Sequence, residues 1–385
     1  VIYMSKYILP YEKAARIQTV VCGLLFSVFS FVYLYVFQRD ILEAVHFSLA
    51  HGKTHFAPMA SAVVITFILI LLRWGVNSLL GLKGIVRSVA YFPSFLILGA
   101  LTDISRDIYM DSYRGYWLWL LPLILLVFIG TAYFLRRIFR VQLNKEYSFM
   151  TLMNSNLIIL LVWALMTVGI GNSDRNFHHE LAVERCLRAK KYEDALKVGE
   201  RSLEATRTLT ALRAYALAHV GQMGDRLFAY PQYYKSEGLF FSGDSLHDLR
   251  YTNDSIYHYL GARPYENESK LLFLQHICDR EIGKYTSLDY YLSALLLDKK
   301  LKDFAGAMCE FYEENTRIPR YYQEALVMYQ STHPEYTCLA TDSTIVQRFD
   351  AYKTRQKDFA SPVEEENRMR REFGDTYWWY YDYQK

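Results

Sequence analysis

The 385-residue chain carries 43 Lys and Arg against 40 Asp and Glu, a net charge of +3, so it has no global field to gather nucleic acid, and none is expected as a partner. Its mean hydropathy is essentially zero, which is high for a water-soluble protein. That average hides two halves: long apolar runs to about Gly171, then a polar half in which charges recur every few positions.

A helix needs roughly 20 apolar residues to cross a bilayer, because its backbone must be paired within the segment. Five runs approach this, at residues 17–37, 57–72, 85–102, 116–135 and 149–171. The expected fold is therefore all-α, a transmembrane bundle of about five helices over residues 1–171 and a helical domain over 172–385. The second and third runs are short and bounded by Arg73 and Arg87, so residues 57–102 either cross twice or form a re-entrant hairpin. The first run is too long for a secretory signal and is read as a retained anchor.

Loop cations orient the chain. Lys6, Lys13 and Arg16, then Arg73, Lys83 and Arg87, then Arg136, Arg137, Arg140 and Lys145 occupy alternate connections, while the others are poorer in bases relative to acids, one with Arg39, Asp40, Glu43 and Lys53 and the other with Asp103, Arg106, Asp107, Asp111 and Arg114. The amino terminus is expected inside and everything after Gly171 outside. Ser27, Ser30, Thr66, Asn154 and Asn156 are the most polar interior positions, suited to helix-to-helix hydrogen bonds, and Pro93 and Pro122 would kink their helices. No ionisable group is central, which disfavours a coupled transporter.

In the polar half, ELAVERCLRAKKYEDALKVGERSLE shows helical spacing around a turn at Lys190 and Lys191. A second version, TLTALRAYALAHVGQMGDRLFAY, places Gly224 and Ala229 each 34 positions after Lys190 and Ala195. The segment resembles degenerate tetratricopeptide (TPR) repeats and implies an α-solenoid, with Ala195 and Ala229 at close helix contacts and Gly224 relieving the turn. Pro231 ends the second pair, a connection covers residues 233–252, and helical patterns resume at 254–261, 266–280, 287–299, 303–314, 320–330, 344–359 and 363–373.

The layout, with pieces such as IPRYYQEAL at 318–326 and FGDTYWWYY at 373–381, resembles a family of uncharacterised bacterial multi-pass membrane proteins with a TPR-like domain. The resemblance implies a bacterial inner membrane and carries no catalytic residues.

Candidate chemistry is sparse. His46, His51 and His55 in one outer loop and Asp103, Asp107 and Asp111 in the other offer metal or proton chemistry, against a plainer reading as solvated loops. Trp378, Trp379, Tyr380 and Tyr381 form an aromatic tail suited to capping the domain, contacting the membrane or binding a partner. Cys186, Cys278, Cys309 and Cys338 allow two disulfides in three connectivities if this half is exported, or serve as small buried residues. The chain has no GxGxxG, P-loop, GxSxG or paired-cysteine motif, so no cofactor and no metal are implied. The expectation is a scaffold or adaptor, anchored in the lipid bilayer and presenting a helical surface to an envelope protein or peptide. The alternative is a membrane enzyme using the outer-loop His and Asp residues on a lipid-linked or envelope substrate.

Overall fold

The computed structural model describes residues 11–109, 115–138, 147–242, 250–312, 316–357, 359 and 361–384. Asp111, Lys6, Arg140 and Lys145 lie outside them. Every regular element among the described residues is helical. Contacts divide the chain into two compact units, Val1–His178 and His179–Lys385.

The first unit contains α1 (Tyr11–Val32), α2 (Arg39–Ala50), α3 (Pro58–Leu80), α4 (Phe92–Thr102), α5 (Trp117–Ile138) and α6 (Phe149–Ile170). Five segments are long and apolar enough to cross a membrane: Tyr11–Phe37, Pro58–Leu80, Gly84–Thr102, Trp117–Phe134 and Phe149–Ile170. The second is longer than the apolar run suggested, because Arg73 does not end it; the helix continues through Trp74–Leu80 to a left-handed Gly81. The third begins as a 3-10 turn, Gly84–Tyr91, and Pro93 starts α4 rather than kinking it, its missing N–H being one the first turn would leave unpaired anyway. Pro122 does lie inside α5.

Large apolar side chains face outward along these helices, among them Leu24, Phe67, Leu126 and Leu165. Apolar surface this continuous needs lipid around it, which makes the chain a membrane protein. The interior is aromatic, with Phe26 and Phe95 edge to face at 5.0 Å and Phe29 stacked on Tyr33 at 5.6 Å. Asn156 is wholly buried; its Oδ1 accepts from Ser88 N at 2.7 Å and its Nδ2 donates to Gly84 O at 3.0 Å. At the other end α1 closes in a π turn, Tyr33–Phe37. There Tyr33 OH meets Thr102 Oγ1 at 3.1 Å, and a Cβ on Gly171 would stand 2.1 Å from that hydroxyl, so only glycine lets α6 end here.

The boundary between units falls within α7 (Arg175–Arg188). The second unit continues with α8 (Tyr192–Lys197), α9 (Arg207–His219), α10 (Met223–Arg226), α11 (Asn253–Leu260), α12 (Lys270–Asp279), α13 (Thr286–Leu297), α14 (Leu301–Phe311), α15 (Arg320–Thr332), α16 (Ser343–Gln356), α17 (Pro362–Phe373) and α18 (Tyr377–Tyr383). From α12 onward each helix packs on the next, while α10 and α18 also pack on α15, so that α15 joins an early helix of the unit to its last one. The core is one cluster running from Val183 to Tyr380.

Two details of the repeat reading change. The turn that takes a left-handed backbone is Gly221 at φ 65°; Gly224 lies inside α10, where a Cβ would meet Pro319 Cβ at 2.6 Å, so its role is to let α10 approach α15. Ala195 is buried as expected, but Ala229 is exposed on a short 3-10 turn, because the second member of that pair ends after α10. Among the four cysteines of the second unit one pair bonds, Cys309 with Cys338, their Cα atoms 5.8 Å apart; Cys186 and Cys278 are buried outside that bond.

Candidate functional site: an aromatic cleft in the second unit

The carboxy-terminal aromatic run forms α18, and its start is held by a buried carboxylate. Glu324, on α15, accepts from Tyr377 N at 2.7 Å and from Arg320 Nε at 2.8 Å, and its backbone carbonyl accepts from Trp378 Nε1 at 2.7 Å. Thr376 caps the helix through Trp379 N. Tyr377 OH and Tyr380 OH donate to the carbonyls of Leu296 and Leu297 at 3.2 and 2.7 Å, the open C-terminal end of α13. Lys299 Nζ donates to Tyr381 O at 2.8 Å. Burial pushes the Glu324 carboxyl up to about 7, with Arg320 and Tyr377 N opposing that rise. Trp378 is completely buried, so it belongs to the core.

The opposite face of α18 is open. Trp379 and Tyr383, one turn apart, stack at 6.2 Å, and the Arg370 guanidinium sits 5.5 Å from the Trp379 ring. The indole N–H of Trp379 is buried without a hydrogen-bond partner. Tyr383 OH bonds Glu365 at 2.5 Å, which fixes its ring. Facing these, the segments 200–203 and 228–233 supply the second wall of a cleft of about 590 Å³. Tyr230 is held there by its hydroxyl on Leu196 O at 3.0 Å, and Tyr233 by its hydroxyl on Leu203 O at 2.7 Å. Behind Tyr230, buried Arg213 lies 5.0 Å from the ring, and burial lowers its pKa to about 10. Glu200 and Arg201 at one rim and Glu366 and Arg370 at the other leave the cleft charged but balanced.

Such a cleft offers flat aromatic faces and charges of both signs. It suits an extended chain whose side chains lie on tyrosine and tryptophan. Of the tail residues singled out in the sequence, Trp379 and Tyr380 line it, while Trp378 is core and Tyr381 packs beside Lys299. Sequence reasoning missed Tyr230, Tyr233 and Arg370; the spacing of Trp379 and Tyr383 on one helix face was the available signal.

The outer-loop residues take other roles. Asp103 accepts from Trp117 Nε1 at 2.8 Å and from Tyr116 OH, anchoring the start of α5. His46 Nε2 pairs with Thr54 Oγ1 at 3.1 Å, His51 closes α2 in a left-handed conformation at φ 49°, and His55 is exposed. Asp107 lies on the 3-10 turn Arg106–Tyr109. The two loops do meet, through Ser48 Oγ donating to Ile108 O at 3.0 Å, but no group of three or more metal-ligating side chains forms among the described residues.

No curated protein and no solved structure matches the chain. One family profile matches residues 8–262 and 266–384, nearly the whole length and both units. The chain belongs to the family of unknown function DUF6057.

Proposed function

We propose that this protein is a membrane-anchored adaptor whose second unit holds an extended segment of a cell-envelope protein in the cleft between α18 and the 228–233 segment. Trp379 carries the reading: an aromatic face stacked on Tyr383 and flanked by Arg370 is the composition of an interface hot spot. The TPR-like reading of the early helices points the same way, since stacked helical pairs commonly present peptide-binding surfaces.

The proposed placement has the amino terminus in the cytoplasm of a bacterial inner membrane and the second unit in the periplasm. Two features support it. Lys13, Arg16, Lys83, Arg136 and Arg137 share one end of the first unit, whereas at the other Arg39, Lys53 and Arg106 are mixed with Asp40, Glu43 and Asp103. A Cys309–Cys338 bond suits an oxidising compartment.

The test is a photo-crosslinking amino acid at Tyr233, with the full chain in native membranes. Expected are discrete adducts with an envelope protein that Trp379→Ala and Arg370→Ala each weaken at least tenfold. Adducts that are absent, or that persist unchanged in both variants, would overturn the reading. Loss of adducts on adding soluble oligosaccharide but not peptide would reassign the cleft to carbohydrate.

A further inference from the structure

The first unit holds a polar cluster at its basic end. Four segments meet there: the start of α1, the end of α3, the 3-10 turn Gly84–Tyr91 and the start of α6. Arg136 Nη1 donates to Leu80 O at 3.0 Å, which brings the end of α5 to the same level. Two turns into the bundle, roughly 10 Å along a helix, stand Gln18, Arg73 and Asn156, with Arg87, Ser88 and Tyr91 beside them. Arg73 lies over the Tyr91 ring at 4.6 Å, and Arg87 is within electrostatic reach of Arg73 and Tyr91.

Both guanidiniums are half-buried, and neither has an ion-pair partner among the described residues. The one acid at this end among those residues is Glu12, which is exposed. The nitrogens Arg73 Nε and Arg87 Nε are buried without a hydrogen-bond partner, as is the Tyr91 hydroxyl, on a side chain only 2% exposed. A Cβ on Gly23 would stand 3.7 Å from that hydroxyl, so α1 packs within van der Waals reach of it. Two like charges within electrostatic reach of each other, with no counter-charge among the described residues, are costly in a membrane interior, and an anion would offset them. Guanidinium and phenol donors are the groups suited to a phosphate, whose oxygens accept forked hydrogen bonds.

We propose that Arg73, Arg87 and Tyr91 form a phosphate-binding site between α1, α3 and the Gly84–Tyr91 turn. Its ligand is a phosphate group, carried by an anionic lipid headgroup or free in solution. Basic pockets between membrane helices take lipid headgroups by this chemistry.

The test uses the full chain in a neutral detergent and reads the rise of Tm with added ligand, which gives an apparent Kd. Expected is at least about tenfold tighter binding of phosphatidylglycerol than of phosphatidylcholine, whose choline neutralises its phosphate. Arg73→Gln with Arg87→Gln should lose at least about tenfold in affinity, while Lys13→Gln with Arg137→Gln, which removes two exposed cations from the same end, should not. Without ligand the Arg73→Gln variant should unfold at or above the parent Tm, because a repulsion is gone. Inorganic phosphate, compared with chloride at equal ionic strength, separates the sources: a matching rise assigns free phosphate, and a response to phosphatidylglycerol alone assigns the lipid. Binding unchanged in the double arginine variant overturns the site. Should that variant fail to fold, an equal response of the parent to both lipids, with none to inorganic phosphate, does the same.

Discussion

The two units treat buried charge in opposite ways. In the second, Glu184 and Arg250 form an ion pair at 3.1 Å, with side chains 0% and 4% exposed, and Glu324 is enclosed by Arg320 and the start of α18. Asp375 extends that network, receiving Arg320 and Arg348 at 2.9 Å each. In the first unit the buried polar side chains are neutral, and Arg73 and Arg87 at its basic end have no acid partner among the described residues. In the second unit each of these buried carboxylates meets an opposite charge, and their attraction with the added hydrogen bonds offsets the cost of taking both out of water. In a bundle within lipid an unmatched charge is costly and points to function.

Removing one member of a complete pair is the sharpest way to break this contrast. Glu324→Ala leaves Arg320 and the amide of Tyr377 unmatched and releases the start of α18. The expected loss is about 3–5 kcal/mol of stability in the second unit. Hydrogen exchange on the full chain should accelerate across Tyr377–Tyr383 and Arg320–Thr332 while α1 and α6 stay protected; unaltered protection of α18 would show that Glu324 does not hold it.

Next in size is the Cys309–Cys338 bond. Cross-links closing loops of this order contribute about 2–4 kcal/mol, so Cys309→Ser should lower the unfolding midpoint of the second unit alone. Alkylation of unreduced native membranes sharpens the point. Both thiols found free there would remove a main support for the periplasmic placement.

The pH response comes third. Burial lifts the Glu184 and Glu324 carboxyls from 4.5 to about 7 in the folded state. The folded state then binds protons that the unfolded state has released, so stability is fully present below about pH 4.5 and declines as pH rises through about 7. Between pH 5 and 8 the second unit should lose on the order of 2–3 kcal/mol from each of these two groups. Thermal unfolding followed by fluorescence would show it, and the slope should flatten in Glu184→Gln with Glu324→Gln.

Much of this architecture was legible in the sequence, for physical reasons that also explain the gaps. The helical spacing at 287–299, 320–330 and 363–373 emerges as α13, α15 and α17 to within a few residues, since a buried stripe is a local property. Residues 57–72 fell short of α3 because a single arginine was taken as an end, whereas the helix carries Arg73 inward beside Tyr91. The 34-residue period misassigned Gly224, whose constraint is Pro319, a residue far along the chain that no local pattern reveals. The cleft is legible by half for the same reason. Trp379 and Tyr380 stood out by composition, but Tyr230 and Tyr233 become part of the site only when α10 and α18 both pack on α15.

The smallest expected effect tests the first unit's side of the contrast. Asn156→Leu removes an acceptor from Ser88 N and donors from Gly84 O and Leu152 O, with little change in volume. Such bonds between membrane helices contribute about 0.6–2 kcal/mol, because the freed groups find other partners while still in the bilayer. The loss should appear as faster hydrogen exchange confined to Gly84–Tyr91, with the second unit unaffected. Since Arg87 and Tyr91 sit on that same turn, the variant should also weaken the phosphatidylglycerol response without removing any charge. A response that survives intact while the turn exchanges faster would mean that the arginines recognise phosphate by charge alone, and that the scaffold Asn156 provides is not part of the recognition.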